Sequence, residues 1–252
     1  MKAVRFEGFS PQLFRFLSGL TTNNNKPWFD EHRSEYEAEV LAPVKAFVAD
    51  LGPIMRMLNE GLETEPRVGR TVSRISNDMR FHKNRPPYRP FLYVTFPRRG
   101  DKWSSGPLLY AGIYSQGISI GFYPGGHSPL LTGPIQHAIK HNLKLFQRYL
   151  DERHIPESYS ELAGEEGGKV TKWPLPRMAR RWIELESFIV GEHFAGNDPR
   201  LSRRTFLDRA QAILLDLYPL WLFATSDNLK DDLQLYRENA ELLSRPLTKA
   251  AG

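Results

Sequence analysis

The sequence of 252 residues contains no cysteine, which excludes disulfide bonds, thiolate metal ligands and a thiol nucleophile. It also lacks any apolar run that approaches the roughly 18 residues of a membrane-spanning helix. Residues 1–10 include Lys2, Arg5 and Glu7 and no continuous apolar segment, so they do not have the pattern of a secretory signal. These absences predict a cytoplasmic protein without a membrane segment.

The motifs of several common chemistries are missing as well. The chain has no phosphate-binding P-loop pattern, no G-x-G-x-x-G nucleotide fingerprint and no G-x-S-x-G nucleophile elbow. His137 and His141 have the spacing of two zinc ligands on a helix, but the glutamate of an H-E-x-x-H site is absent between them. We therefore interpret both histidines as solvent-exposed side chains, and we expect no metal and no cofactor.

The composition is that of a globular chain with an excess of positive charge. Lys and Arg number 34 against 29 Asp and Glu, which gives a formal net charge of +5. A basic surface attracts phosphates and nucleic acids, but many proteins carry a mild positive charge that serves only their solubility. Net charge therefore leaves both interpretations open.

The order of the helical and strand patterns predicts an α+β fold. Apolar spacing typical of helices occupies residues 11–18, a long stretch from residue 27 that Pro43 and Pro53 should kink, and residues 132–153, 199–218 and 229–243. Strand patterns occupy residues 68–76, 90–96, 108–114, 118–123 and 185–194, and residues 156–172 are interpreted as a loop. Because helices and strands are segregated, we expect a single domain over residues 1–252. Its central antiparallel sheet of short strands should be packed by N-terminal, middle and C-terminal helices.

The helix predicted over residues 132–153 has a clear apolar stripe. Ile135, Ile139, Leu143, Phe146 and Leu150 recur at helical spacing, whereas basic residues and histidines occupy the opposite side. We expect Ile135, Ile139, Phe146 and Leu150 to be buried against the sheet.

Residues 67–91 carry the densest chemistry of the chain, because they combine many arginines and several aromatic residues with one acid. The segment reads RVGRTVSRISNDMRFHKNRPPYRPF. If residues 70–80 are extended, side chains alternate between two faces. One face then carries Arg70, Arg74, Asp78 and Arg80, and the apolar side chains between them point to the core.

Guanidinium groups suit phosphates and carboxylates, because they donate paired, charge-assisted hydrogen bonds. We therefore predict an anion-binding site. Its residues are Arg70, Arg74, Asp78, Arg80, Lys83, Arg85 and Tyr88. The surrounding cations favour the ionised form of Asp78, so we expect this carboxylate to orient the arginines.

Three roles for this segment are open. In the first role it binds an anionic partner, either a phosphate-bearing small molecule or the backbone of a nucleic acid. Alternatively, it belongs to an enzyme for a phosphorylated or carboxylated substrate, in which Asp78 or His82 transfers protons and a concave cleft is required. In the third role it is an internal arginine–aspartate network that only stabilises the fold. The surplus of base over acid favours the first role.

The segment also resembles the signature of a bacterial family, the domain of unknown function 2461, whose pattern is R-x-x-R-D-x-R-F followed by Asp or Asn, Lys and Tyr. The matching residues are Arg74, Asp78, Arg80, Phe81, Asn84 and Tyr88. Asn77 stands where the family has arginine, and Arg85 stands where it has lysine. The opening of the chain is similar too, in the run from Trp28 to Tyr36. The resemblance implies one family domain over about residues 9–245, and the family's activity is itself unknown.

Overall fold

The computed structural model of the protein describes residues 5–78, 85–101, 106–125, 129–164, 170–185 and 188–248. The helices are α1 (Pro11–Thr22), α2 (Lys26–Glu31), α3 (Arg33–Glu35), a π-helical stretch (Tyr36–Leu41), α4 (Ala42–Leu58), α5 (Pro129–His141), α6 (Leu143–Glu152), α7 (Ile155–Ser158), α8 (Ala179–Trp182), α9 (Phe206–Thr225) and α10 (Leu229–Leu243). The strands are β1 (Phe91–Thr95), β2 (Leu108–Tyr114), β3 (Gly117–Tyr123), β4 (Ser160–Gly164), β5 (Val170–Pro174) and β6 (Val190–Ala195).

These six strands form one antiparallel sheet in the order β1-β2-β3-β6-β4-β5. The hairpin of β2 and β3 closes at Gly117, whose φ of +149° is a conformation that a side chain rarely adopts. The predicted α+β fold with a central antiparallel sheet is confirmed.

One face of the sheet is packed by α9, which contacts β2, β3 and β6. Side chains alternate along a strand, and the residues on this inner face are fully buried. They include Leu109, Ile113, Ile118, Ile120 and Phe122. The opposite face, which we call the outer face, carries the residues between them. Within the described ranges, no helix is long and apolar enough to cross a membrane.

The predicted helix over residues 132–153 is two helices, α5 and α6, which meet at Asn142. Ile135, Ile139, Phe146 and Leu150 are each 0% exposed, so their predicted burial is confirmed. The stripe does not pack mainly against the sheet as expected, because the main neighbours of α5 are α9 and α8, and α6 packs on α8. Leu143 is 37% exposed. Leu143 is the first residue of α6, directly after the break at Asn142, whereas Phe146 and Leu150 farther along the same helix are buried.

Two further predictions of secondary structure were wrong, in segments that contain glycine or proline. Residues 156–172 are not a loop, since they contain β4 and begin β5. The first closing helix starts at Phe206, not at 199, and continues through Pro219 to Thr225. Pro219 has no N–H for the carbonyl of Leu215, and the hydroxyl of Tyr236 donates to that carbonyl instead, at 2.9 Å.

Candidate functional site

The described parts of the arginine-rich segment form a two-stranded ribbon that continues from the β1 edge of the sheet. We call residues 67–78 and 85–89 the arginine ribbon. At its base, Ser73 N donates to Tyr93 O at 2.8 Å. Farther out, Asn77 N donates to the carbonyl of Pro87 at 2.9 Å, and an isolated bridge joins Ser76 and Tyr88. The segment is therefore held by backbone pairing along its length.

The predicted strand over residues 68–76 is absent as a continuous strand, because the ribbon begins with a tight turn. The carbonyl of Arg67 accepts from Arg70 N at 3.0 Å, and Gly69 has a φ of +83°. Arg70 consequently lies in this turn and not on an extended face. The predicted alternation does hold farther along, where Arg74 is exposed and Ile75 is 7% exposed.

The guanidinium of Arg74 folds back over this turn. A β-carbon placed on Gly69 would lie 3.8 Å from Nε of Arg74, so the side chain lies close above the turn that carries Arg70. Arg70 is 3.4 Å from Glu63 in an exposed ion pair. Such a pair stabilises the fold little and can exchange one partner for another.

Two arginines of the ribbon differ from the others in their contacts. Arg74 and Arg85 are both exposed. Neither has a hydrogen-bond or ion-pair partner in the part of the chain that the structure describes. Arg74 is therefore not part of an internal network with Asp78.

Tyr88 anchors the ribbon to the helical layer. Asn24 Nδ2 donates to the carbonyl of Tyr88 at 2.8 Å, and Tyr88 N donates to Asn24 Oδ1 at 3.0 Å. The ring of Tyr88 stacks on buried Phe29, with centroids 4.1 Å apart. Tyr88 thus positions the ribbon through its backbone and its ring, a contribution that the sequence pattern did not distinguish from a direct role in ligand binding.

Asn77, where the chain departs from the resembled signature, links the two strands of the ribbon. Its Oδ1 accepts from Nε of Arg89 at 2.8 Å, and its Nδ2 donates to the carbonyl of Pro86 at 2.7 Å. The predicted site residues Arg80, His82 and Lys83 lie outside the described residues.

Two clefts lie elsewhere on the protein. The first, of about 380 Å³, lies between α4, α9 and α10, and its walls include Tyr218, Trp221 and Leu235. The second, of about 490 Å³, is shallower and is lined by the end of α4 and Arg99. Neither includes a residue of the arginine ribbon, so these clefts do not supply the concave site that the enzyme hypothesis requires of the segment.

A half-buried acid, Asp216, was missed by the sequence analysis. Asp216 accepts from the hydroxyl of Tyr159 at 2.8 Å and lies 3.4 Å from Arg153. Burial raises the pKa of Asp216 above its usual range. Tyr159 and Arg153 lie about sixty positions from Asp216 in the chain, so no local pattern indicates the cluster. His137 and His141 are both exposed on α5, as expected.

Comparison with known proteins identifies the family of the chain but assigns it no activity. No curated protein matches the chain. The profile of the conserved hypothetical protein family DUF2461 matches residues 12–223. This region runs from α1 into α9 and includes the arginine ribbon and all six strands named above, whereas α10 lies outside it. The resemblance read from the signature is confirmed: the chain belongs to the DUF2461 family.

Proposed function

We propose that the protein binds an anionic ligand that carries phosphates or carboxylates, through the arginine ribbon. The observation that supports this proposal is that Arg74 and Arg85 are exposed and have no partner among the described residues, with Arg74 lying beside the turn of Arg70. A guanidinium left unpaired at a fixed position is ready to donate two parallel hydrogen bonds to an oxyanion.

The open surface of the ribbon favours a ligand with several anionic groups. An exposed ion pair contributes little by itself, because water and salt screen it. Useful affinity at such a surface therefore needs several simultaneous ion pairs. A chain of phosphates supplies them, whether it belongs to a polyphosphorylated small molecule or to the backbone of a nucleic acid.

The test is a titration with tripolyphosphate and with a single-stranded oligothymidylate, each over a series of salt concentrations. For the Arg74→Ala/Arg85→Ala variant we expect weaker binding of both probes. With the oligonucleotide, the slope of log K against log salt should become shallower by about 0.7 for each phosphate that the variant no longer neutralises.

A matched control is available in Arg148, which is also exposed and has no partner among the described residues. Arg148→Ala removes one charge from α6, away from the ribbon, as Arg74→Ala or Arg85→Ala alone removes one from the ribbon. Equal weakening in Arg148→Ala and in these single ribbon variants would mean that only net charge matters. That result, or no binding by the wild-type protein, would refute the proposal.

A further inference from the structure

Half of the exposed large apolar side chains lie on two neighbouring helices. Among the described residues, six such side chains are exposed. Met57, at the C-terminal end of α4, and Leu235 and Leu242 of α10 are three of them, at 54%, 56% and 46% exposure. Isolated exposed apolar residues are normal on a protein, whereas several on elements in contact mark an interaction surface.

Helix α10 presents apolar side chains on two sides. Leu233, Tyr236 and Leu243 are buried in the protein. Leu235 and Leu242 are two helical turns apart, or about 10 Å along the axis, so they form a second apolar stripe that the described part of the chain leaves exposed. The match to the family profile ends at residue 223, so this stripe lies outside the matched region.

An apolar hollow adjoins the stripe. The cleft of about 380 Å³ between α4, α9 and α10 is lined by Met57 and Leu235, whose exposure shows that its rim is open to solvent. Leu242, two turns along α10, is not among the residues that line the cleft. The surface therefore combines a hollow with an apolar side chain that projects beside it.

A carboxylate and a guanidinium lie at opposite ends of α10. Asp232 is in the first turn, and one of its oxygens accepts from the hydroxyl of Ser226 at 2.5 Å, which leaves the other oxygen for a further partner. Arg245 follows the last turn, is exposed, and has no partner for its guanidinium in the described ranges. Asp232 and Arg245 are separated by about 20 Å along the helix, so they do not pair within one copy of the chain.

The leucine pair and the charged pair share one midpoint. Leu235 and Leu242 are centred on the peptide bond that follows Glu238, and so are Asp232 and Arg245. A twofold axis through this point, perpendicular to α10, makes two copies of the helix antiparallel. It places Leu242 of one copy opposite Leu235 of the other, and Arg245 opposite Asp232. A single register thus satisfies the apolar and the charged contacts together.

We propose that the protein forms a symmetric dimer through α10, in which a second copy of the chain covers the stripe and the cleft. The partner's Leu242 packs against Met57 and Leu235 at the cleft, and the partner's Arg245 pairs with Asp232. Each contact occurs twice because of the twofold symmetry. Burial of the apolar side chains drives association, and the ion pairs fix the antiparallel register.

The size and charge of this interface limit its strength. It consists of one helix and the end of another, and the two copies of Glu238 lie near the axis, where like charges repel. Stable permanent dimers bury larger and more apolar surfaces. We therefore expect a reversible dimer that dissociates on dilution.

The first test is sedimentation equilibrium over a series of protein concentrations, in which the wild-type protein should show this reversible dimer. Leu235→Asp and Leu242→Asp each place a carboxylate in the apolar contact and should be monomeric throughout the series. Because both leucines are exposed, the variants should melt close to the wild-type protein in dilute solution. Met178→Asp is the matched control, since Met178 is 64% exposed and directly precedes α8, and it should dimerise like the wild-type protein.

The second test asks whether Asp232 and Arg245 pair between copies. Asp232→Arg and Arg245→Asp each replace two attractive contacts by two repulsive ones, so each variant alone should dimerise more weakly by on the order of tenfold. In an equimolar mixture, the two variants form a heterodimer in which both contacts join opposite charges. The mixture should therefore recover association, which a loss of helix stability in either variant would not allow.

Either test can overturn the proposal. A wild-type protein that is monomeric throughout the series, a dimer that persists in Leu242→Asp, or a mixture that associates no better than its components would each do so. The ribbon variant Arg74→Ala/Arg85→Ala should dimerise like the wild-type protein, because no ribbon residue lines the cleft. The dimer and the anion-binding proposal are thus tested independently.

Discussion

The contact between Asn24 and Tyr88 gives a quantitative test of how the arginine ribbon is held. Asn24 makes two hydrogen bonds to the backbone of Tyr88, at 2.8 and 3.0 Å, and these join the turn before α2 to a residue 64 positions later. Asn24→Ala removes both. It leaves one N–H and one C=O of Tyr88 without this partner while the stacked ring of Tyr88 stays in place.

The expected destabilisation follows from the hydrogen bonds alone. Each contributes about 0.5–1.5 kcal/mol net, so two contribute about 2 kcal/mol to the free energy of unfolding. In a chain of this size, 1 kcal/mol corresponds to about 2–4 °C in melting temperature. We therefore expect Asn24→Ala to melt about 4–8 °C below the wild-type protein in differential scanning calorimetry.

Asn23 is the control, since it is the neighbouring asparagine and makes one exposed side-chain hydrogen bond, to the carbonyl of Gly19. Asn23→Ala should change the melting temperature by about 2 °C or less, because exposed hydrogen bonds of this kind are within about 0.5 kcal/mol of neutral. Hydrogen exchange at the amide of Tyr88 provides a local readout and should accelerate only in Asn24→Ala. An unchanged melting temperature together with unchanged exchange at Tyr88 would show that the ribbon is held by other interactions.

Two further predictions concern the core and the half-buried acid. Ile139→Ala should destabilise the protein by about 2–5 kcal/mol in urea unfolding, whereas Leu143→Ala, at a site 37% exposed, should cost far less; similar costs at both sites would contradict the exposure of Leu143. Burial raises the pKa of Asp216 above its ordinary value of 3.8, so the folded state binds this proton more tightly than the unfolded state. The stability of the wild-type protein relative to Asp216→Asn should therefore be greatest below pH 3.8 and fall as the pH rises through the folded pKa. Melting curves from about pH 3.5 to about pH 7 measure this difference, and a constant offset would refute the assignment.

The elements that the sequence predicted well are those whose pattern is complete within a short window. The hairpin of β2 and β3 has two apolar strands around a short turn that contains Gly117, and the stripe of α5 and α6 repeats at helical spacing. Both were found where the pattern put them. The break at Asn142 was missed, since it lies between two stretches that each fit a helix.

The elements that were missed depend on partners far away in the chain. The strand β4 is short and ends in a glycine; it pairs with β5 along its length, and Ser160 joins it to the rest of the sheet by pairing with Gly191 of β6. Pro219 would end an isolated helix, yet α9 continues because Tyr236 supplies a donor for the carbonyl that proline leaves unpaired. The hydrogen bond between Tyr159 and Asp216 is of the same kind. Pairings between distant residues leave no periodic signal.

The candidate site likewise has one feature that the sequence predicted and one that it did not. The arginine-rich composition of residues 67–91 was sufficient to predict an exposed cationic surface, and Arg74 and Arg85 are exposed. The sequence could not indicate that Arg70 lies in a turn. The turn depends on the positive φ of Gly69 and on the hydrogen bond that the carbonyl of Arg67 accepts. No regular spacing of residues in the sequence predicts either feature.

The departure of Asn77 from the family signature bears on how the ribbon would bind. An arginine at this position would add a cation, whereas Asn77 instead ties Arg89 to the backbone of Pro86 and so joins the two strands. Together with the hydrogen bonds between Asn24 and Tyr88, this link fixes the backbone on both sides of the exposed arginines before any ligand arrives. A fixed backbone loses less conformational entropy on binding. Under the proposed anion binding, this preformed backbone favours a ligand with defined spacing between its anionic groups over one recognised by total charge.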